Sequence, residues 1–310
     1  MKRQQALKIA LNGLLMQMLG VQVLFGFQFQ GLFQDNFTAL PPAGRSVDAA
    51  GLGLMIMALG LMIAVPCQHR IVDGGETTPR IYAAANWYAQ LALLPLAGGI
   101  GCDVFVATCG PFGSWLASVL SIATFALALL AWYVLGIGLR SRWSANTPGV
   151  PMQHERTPLH TKIEQMLTEA RVILPGAQAL LGFQLIVMMT KPFDQLPFAV
   201  KLVHLAALAN LALAIILLIC PAAIHRITFG GSADLRLHST GSLLITIALL
   251  PLALAISCDL WVALTILFGE GLAALAGSVA AFTLLMVLWF LLPLLLRRRH
   301  TGPAAVAVRH

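Results

Sequence analysis

Two aspartates stand inside apolar runs, where a carboxylate is least at home. Asp103 lies in "CDVFVA" (Cys102–Ala107), and Asp259 lies in "CDLWVA" (Cys258–Ala263), 156 residues further on. An unpaired carboxylate in such surroundings takes up a proton, binds a cation or finds a charged partner. The candidate partners recur at the same interval: Arg45 with Lys201, and Gln28 with Gln184, while His204 replaces Asp48. Two chemistries fit these residue types. One is an ion pair built twice, Arg45 with Asp103 and Lys201 with Asp259, acting as a clamp between neighbouring helices. The other is a proton- or ion-binding cluster, favoured in the second half because the His204 imidazole titrates near neutral pH.

A second polar set falls at the ends of apolar runs. His69–Arg70 and His225–Arg226 again stand 156 apart. Cations at a helix C-terminus complement the negative end of its dipole. Glu169 enters at the same level, so the spacing predicts a Glu169–Arg226 pair within the second half. The first half carries Gly13 in place of that acid, which leaves Arg70 to water or lipid phosphate. A b-type haem would need histidines facing each other inside a bundle. These histidines lie at its edge, each beside an arginine, so no cofactor is expected. The five cysteines show no metal-ligand spacing, and no metal is expected either. No nucleophile elbow, zinc signature, phosphate loop or dinucleotide fingerprint occurs, and no enzymatic reaction is expected.

The elements that must hold these residues are membrane helices. The chain is 59% hydrophobic and 10% charged, far from the roughly 25% charged residues of soluble domains. Apolar runs long enough to cross a bilayer as helices recur at 11–33, 48–66, 82–106, 113–139, 171–189, 198–219, 240–262 and 271–296. Lipid leaves backbone polar groups unsatisfied, which favours helices, and the runs lack the alternation of barrel strands. The expected class is therefore an all-α polytopic membrane protein with eight spans. The basic start could pass for a signal peptide, but the apolar run continues to Phe33 and reads as a first span. The net charge of +7 does not indicate a nucleic-acid partner. With the N-terminus in the cytoplasm, only Arg45, Lys191 and Lys201 of the 19 Lys and Arg fall outside. That bias predicts a bacterial inner-membrane protein with both termini cytoplasmic.

The 156-residue interval runs through the whole chain. "GVQVLFGFQ" (Gly20–Gln28) meets "GAQALLGFQ" (Gly176–Gln184), and "LALLPLAGGIGCDVFVA" from Leu91 meets "IALLPLALAISCDLWVA" from Ile247. Repeated Leu and Ala are cheap in so apolar a chain, whereas repeated Gln, Cys, Asp, Pro and Gly are not. The chain reads as a tandem duplication: a module over 1–140, a cytoplasmic linker over 141–160, a second module over 161–296 and a tail over 297–310. Four spans in each unit make the repeats parallel, related by an axis along the membrane normal. Gln22, Gln28, Gln178 and Gln184 either hydrogen-bond between packed helices or line a polar path between the modules.

Four stretches of the second unit, "EARVILPGAQALLGFQ" (Glu169–Gln184), "KPFDQL" (Lys191–Leu196), "CPAAIHRITF" (Cys220–Phe229) and Asp259, resemble an uncharacterised bacterial family of four-span membrane proteins, known only as a domain of unknown function. The resemblance covers about 165–270. The first unit departs from it, with Leu15 where Arg171 stands and Gly13 where Glu169 stands. The family implies a four-helix membrane module and no known reaction. The expectation is a non-enzymatic protein of the bilayer that binds or passes an ion or small solute between two modules. The alternative is a structural or regulatory module that moves nothing.

The charge distribution generates a topology test. Cysteines introduced in the 141–160 linker should react only with reagents that reach the cytoplasm. Labelling of intact cells by a membrane-impermeant maleimide at those sites would reverse the orientation.

Overall fold

The computed structural model describes residues 2–34, 37, 40–134, 157–229, 232–269 and 271–301, and all its regular elements are helical. They are α1 (Lys2–Gly31), α2 (Pro42–Ile71), α3 (Pro79–Leu129), α4 (Leu159–Val187), the short α5 (Lys191–Asp194), α6 (Phe198–Ile227), α7 (Leu235–Phe268), α8 (Leu272–Met286) and α9 (Leu292–Thr301). Single wider π turns follow α3 at Leu130–Val134 and α8 at Val287–Leu291. Most of the 141–160 linker and of the tail lies outside the described residues.

Six segments are long and apolar enough to cross a bilayer: α2, α3 with its π turn, α4, α6, α7, and α8 continuing to Arg299. The chain is a multi-pass membrane protein. Two features separate this count from the eight spans expected. The first expected span, 11–33, falls in α1, part of whose side chains lie outside the described residues, and α1 is not among the six. The expected spans 82–106 and 113–139 both fall in α3, whose backbone breaks at Gly113 (φ 79°). That left-handed conformation strains any residue with a Cβ. Beyond it the chain folds back on itself: the Ser121 hydroxyl donates to the Gly101 carbonyl at 2.8 Å and Tyr133 to that of Gln90 at 2.5 Å.

The second half repeats this hairpin. Gly269 (φ 88°) ends α7, and Ser278 donates to the Ser257 carbonyl at 2.7 Å. The glycines are 156 apart, but the serines and the π turns are 157 apart. One residue has therefore been gained after the turn, and Trp132 corresponds to Trp289.

The halves do not pack alike. The most apolar stretch of α2 is 78% buried, whereas that of its counterpart α6 is 28% buried. α2 packs against α1, α3, α7 and α8, and α1 lies along α4. Trp289 is fully buried and its indole N–H donates to the Gly60 carbonyl of α2 at 3.0 Å. A Cβ on Gly60 would stand 3.1 Å from both Leu285 and Leu288, so the glycine admits the approach. Its counterpart is Ile216, 59% exposed, where a branched side chain bars the same contact. Between helices in lipid such close backbone approach replaces the hydrophobic effect as the source of packing energy.

Trp289→Phe should cost roughly 1–3 kcal/mol, from the lost buried hydrogen bond and the void it leaves. Trp132→Phe should cost clearly less. Unfolding titrations in mixed micelles would measure both, and equal costs would refute the asymmetry.

Candidate functional site

Three polar clusters interrupt the apolar bundle. The first is on the face where α1 ends and α2 begins. There the Gln28 side-chain amide of α1 donates to Asp103 Oδ1 of α3. Gly51 of α2 makes room: a Cβ there would stand 2.6 Å from the Gln28 amide nitrogen. Asp48 of α2 is buried beside this pair, close enough to Asp103 to act on it electrostatically. Neither Asp48 Oδ2 nor Gln28 Oε1 meets a donor among the described residues.

The second half builds the equivalent cluster with a different third member. The Gln184 amide of α4 donates to Asp259 Oδ2 of α7 at 2.6 Å. His204 of α6 stands where Asp48 would be. Its Nε2 lies 3.1 Å from the Gln184 backbone carbonyl, and its Nδ1 lies 3.9 Å from Asp259 Oδ1. The ring is fully buried, stacked on Phe29 of α1 and met edge-on by Phe193 of α5. The two clusters share the Gln–Asp bond, with the same separation of 75 residues.

The expected ion pairs are not among the described contacts. Lys201 turns away from Asp259, donating from Nζ to the Asp194 backbone carbonyl at 2.7 Å and lying over the Phe193 ring. The reason is reach: a lysine near a helix end keeps its ammonium in the polar layer and lays its stem on apolar neighbours. Asp103 takes the Gln28 amide, while Arg45 lines a cavity of about 540 Å³. That cavity lies between the halves, with Leu32, Phe33, Gln34, Phe37 and Arg45 on one side and Lys191, Pro192, Gln195, Leu196 and Ile266 on the other. Lys191 and Lys201 are therefore organised around α5. The Thr190 hydroxyl caps α5, and Lys201 holds its last carbonyl.

The third cluster, on the opposite face, corrects a second expectation. Glu169 of α4 does not pair with Arg226, which is exposed. It is clamped from the first half instead: His69 Nδ1 donates to Oε1 at 2.7 Å and Arg70 to Oε2 at 2.5 Å, with all three side chains at most 4% exposed. His225, the counterpart of His69, is only half-buried and outside the clamp. The centrality of α2 explains this. Its C-terminal end is buried beneath the second half, while that of α6 faces outward. A buried acid gains far more from a buried cation than from one already solvated. Around the clamp, Arg80 binds Asp73 and the Gln68 carbonyl oxygen of the side chain, the latter at 3.0 Å.

The connection between α2 and α3 docks on the start of α4. Glu76 accepts the Thr157 N–H at 2.9 Å and pairs with Lys162 at 2.6 Å. Burial alone would raise the Glu76 carboxyl. The Lys162 ammonium and the Thr157 donors outweigh it and hold the group below its ordinary value. Sequence reasoning missed this dock, because neither partner repeats at the 156-residue interval. α4 itself begins at Leu159 behind Pro158.

Gln22 and Gln178, the suggested polar path, do not meet. Gln22 is fully buried against Gly176, where a Cβ would overlap its side chain, and Gln178 is exposed on the far side of α4.

The sequence matches the family described as "Family of unknown function (DUF6328)" twice, over residues 4–136 and 153–293. No curated protein and no solved structure matches it. The double match agrees with a tandem duplication and with the doubled Gln–Asp bond.

The clamp predicts an unequal pair of mutants. Glu169→Gln should destabilise the protein by about 3–5 kcal/mol, since Arg70 stays buried without its counter-charge. Arg226→Gln should change stability by less than about 0.5 kcal/mol. The reverse order in an unfolding titration would restore the Glu169–Arg226 pair.

Proposed function

The chain belongs to the family of unknown function DUF6328, whose domain it carries twice, and from this premise we propose that it binds a small amphipathic anion between its two repeats and catalyses no reaction. The supporting observation is the cavity of about 540 Å³ between the halves. Its volume suits a small molecule. Arg45 and Lys191 supply positive charge, and Gln34 and Gln195 supply amides. Leu32, Phe33, Phe37, Leu196 and Ile266 supply an apolar wall, and no described lining residue is acidic. A ligand complementary to that lining has one negative head and a short apolar body.

The topology reading completes the proposal. With α3 divided at Gly113 and α1 included, the chain makes eight crossings in two parallel four-helix repeats. The predominance of Lys and Arg on one side favours the bacterial inner membrane with both termini cytoplasmic. The cavity then opens toward the periplasm. Binding is favoured over passage, because the α1–α4 contact beside it is tight at Gln22–Gly176 and at Gly26–Phe183. That same contact favours, as second reading, a structural or regulatory module without a ligand.

Octanoate and octanol separate the two readings. Octanoate should raise the thermal stability of the purified protein in a saturable way, and octanol, equal in chain length but neutral, should not. Lys191→Gln, a change at an exposed side chain, should weaken octanoate binding about tenfold, equivalent to about 1.4 kcal/mol. Equal effects of acid and alcohol, or unchanged binding in both Lys191→Gln and Arg45→Gln, would leave the structural reading.

A further inference from the structure

We infer that His204 and Asp259 form a buried site that holds one proton. The inference rests on counting donors and acceptors around two side chains that are at most 2% exposed. His204 Nε2 faces a backbone carbonyl, which can only accept, so Nε2 carries a hydrogen. In a neutral ring Nδ1 then presents a lone pair. Asp259 Oδ2 already accepts from Gln184, and its Oδ1 faces Nδ1 across 3.9 Å. An ionised Asp259 beside a neutral His204 would set two acceptors against each other, and neither atom meets another donor among the described residues. One added proton resolves the conflict, whether Oδ1 or Nδ1 carries it, once a small rotation closes the gap to hydrogen-bond length.

The described surroundings supply no substitute. α1 presents Phe29, α5 presents Phe193, and α4 presents the Gln184 amide, which is spent on Oδ2. The lysine of α6, Lys201, is directed to the Asp194 carbonyl, and the neighbour of Asp259 on α7 is the half-buried Cys258 thiol. One proton satisfies both facing, unpartnered atoms, His204 Nδ1 and Asp259 Oδ1, at once. The site differs from the anion cavity and does not depend on it. The two meet only through α5, which sends Lys191 to the cavity and Phe193 to the imidazole.

Asp259→Asn separates a proton site from a merely structural contact. The amide keeps the acceptor for Gln184 and presents an N–H to His204 Nδ1, so it mimics the protonated state and should fold with parental thermal stability. Base titration of the reconstituted protein should release one proton per chain fewer from Asp259→Asn than from the parent. His204→Gln should likewise alter that release. With the proton on Oδ1, the infrared carbonyl stretch of a protonated carboxyl at neutral pH should lose intensity in Asp259→Asn and not in Lys201→Gln; with the proton on Nδ1, the carboxylate stretch should be lost instead. Superimposable titrations together with an unchanged infrared band in Asp259→Asn would overturn the site. So would loss of stability in Asp259→Asn alone without loss of a proton.

Discussion

A carboxylate buried in an apolar bundle must be satisfied by something buried with it. The arrangements around Asp103, Asp259 and Glu169 follow from that constraint. Asp103 and Asp259 are satisfied within their own halves, each by a glutamine from the first helix of the unit. Glu169 has no such glutamine and is satisfied across the halves by His69 and Arg70. The first kind of contact fixes how each half folds. The second fixes how the halves sit against each other, because a buried acid and arginine separated from each other would each be left uncompensated. The polar groups supply direction, and the packing around Gly60 and Gly176 supplies closeness.

Duplication doubles a module, but two copies need not use the same surfaces. Here they diverge at a few positions with large consequences. Gly13 answers to Glu169, Gly60 to Ile216, and Asp48 to His204. The first two differences act together. The acid on α4 draws the end of α2 inward, and the glycine on α2 lets Trp289 reach its backbone. α2 becomes the central helix, and α6 keeps an outward apolar face. The third difference changes chemistry instead of packing. An imidazole offers a lone pair and an N–H at opposite sides of a ring, whereas a carboxylate offers only acceptors. The second half alone thus gains a donor that fixes its tautomer and an acceptor that faces Asp259.

The sequence made the Gln–Asp clusters legible for a physical reason. Gln28, Asp103, Gln184 and Asp259 are costly in apolar runs, and their common spacing of 75 residues shows that each copy keeps both members. The helical class was legible in the same way, from apolar runs, whereas the breaks at Gly113 and Gly269 emerge only from the backbone. Reasoning by interval failed where a contact crosses between copies. It paired Glu169 with Arg226, its neighbour inside the repeat, although the buried cation was Arg70. Nothing in a one-dimensional repeat says which copy's helix will be central. The lysine and arginine assignments failed differently. Opposite charges at one depth suggested pairs, but a long side chain near a helix end has a polar layer to reach, so Lys201 did not need Asp259. Glu76 and Lys162 were invisible because neither is repeated.

The positions of the basic residues away from His69 then acquire one account. Arg45 and Lys191 both border the cavity between the repeats, and Lys201 secures the short helix that carries Lys191. The described hydrogen bonds of Asp103 and Asp259 are to glutamine amides, and Lys201 is directed elsewhere. In the proposed orientation these basic residues oppose the orienting bias of the chain. Two of them, Arg45 and Lys191, border one cavity, which is the feature on which the proposed anion binding rests. The buried His204–Asp259 pair lies behind the same short helix, on the other side of Phe193. Charge at the mouth and titratable groups behind it thus share a four-residue element, and the rest of the bundle holds that element in place.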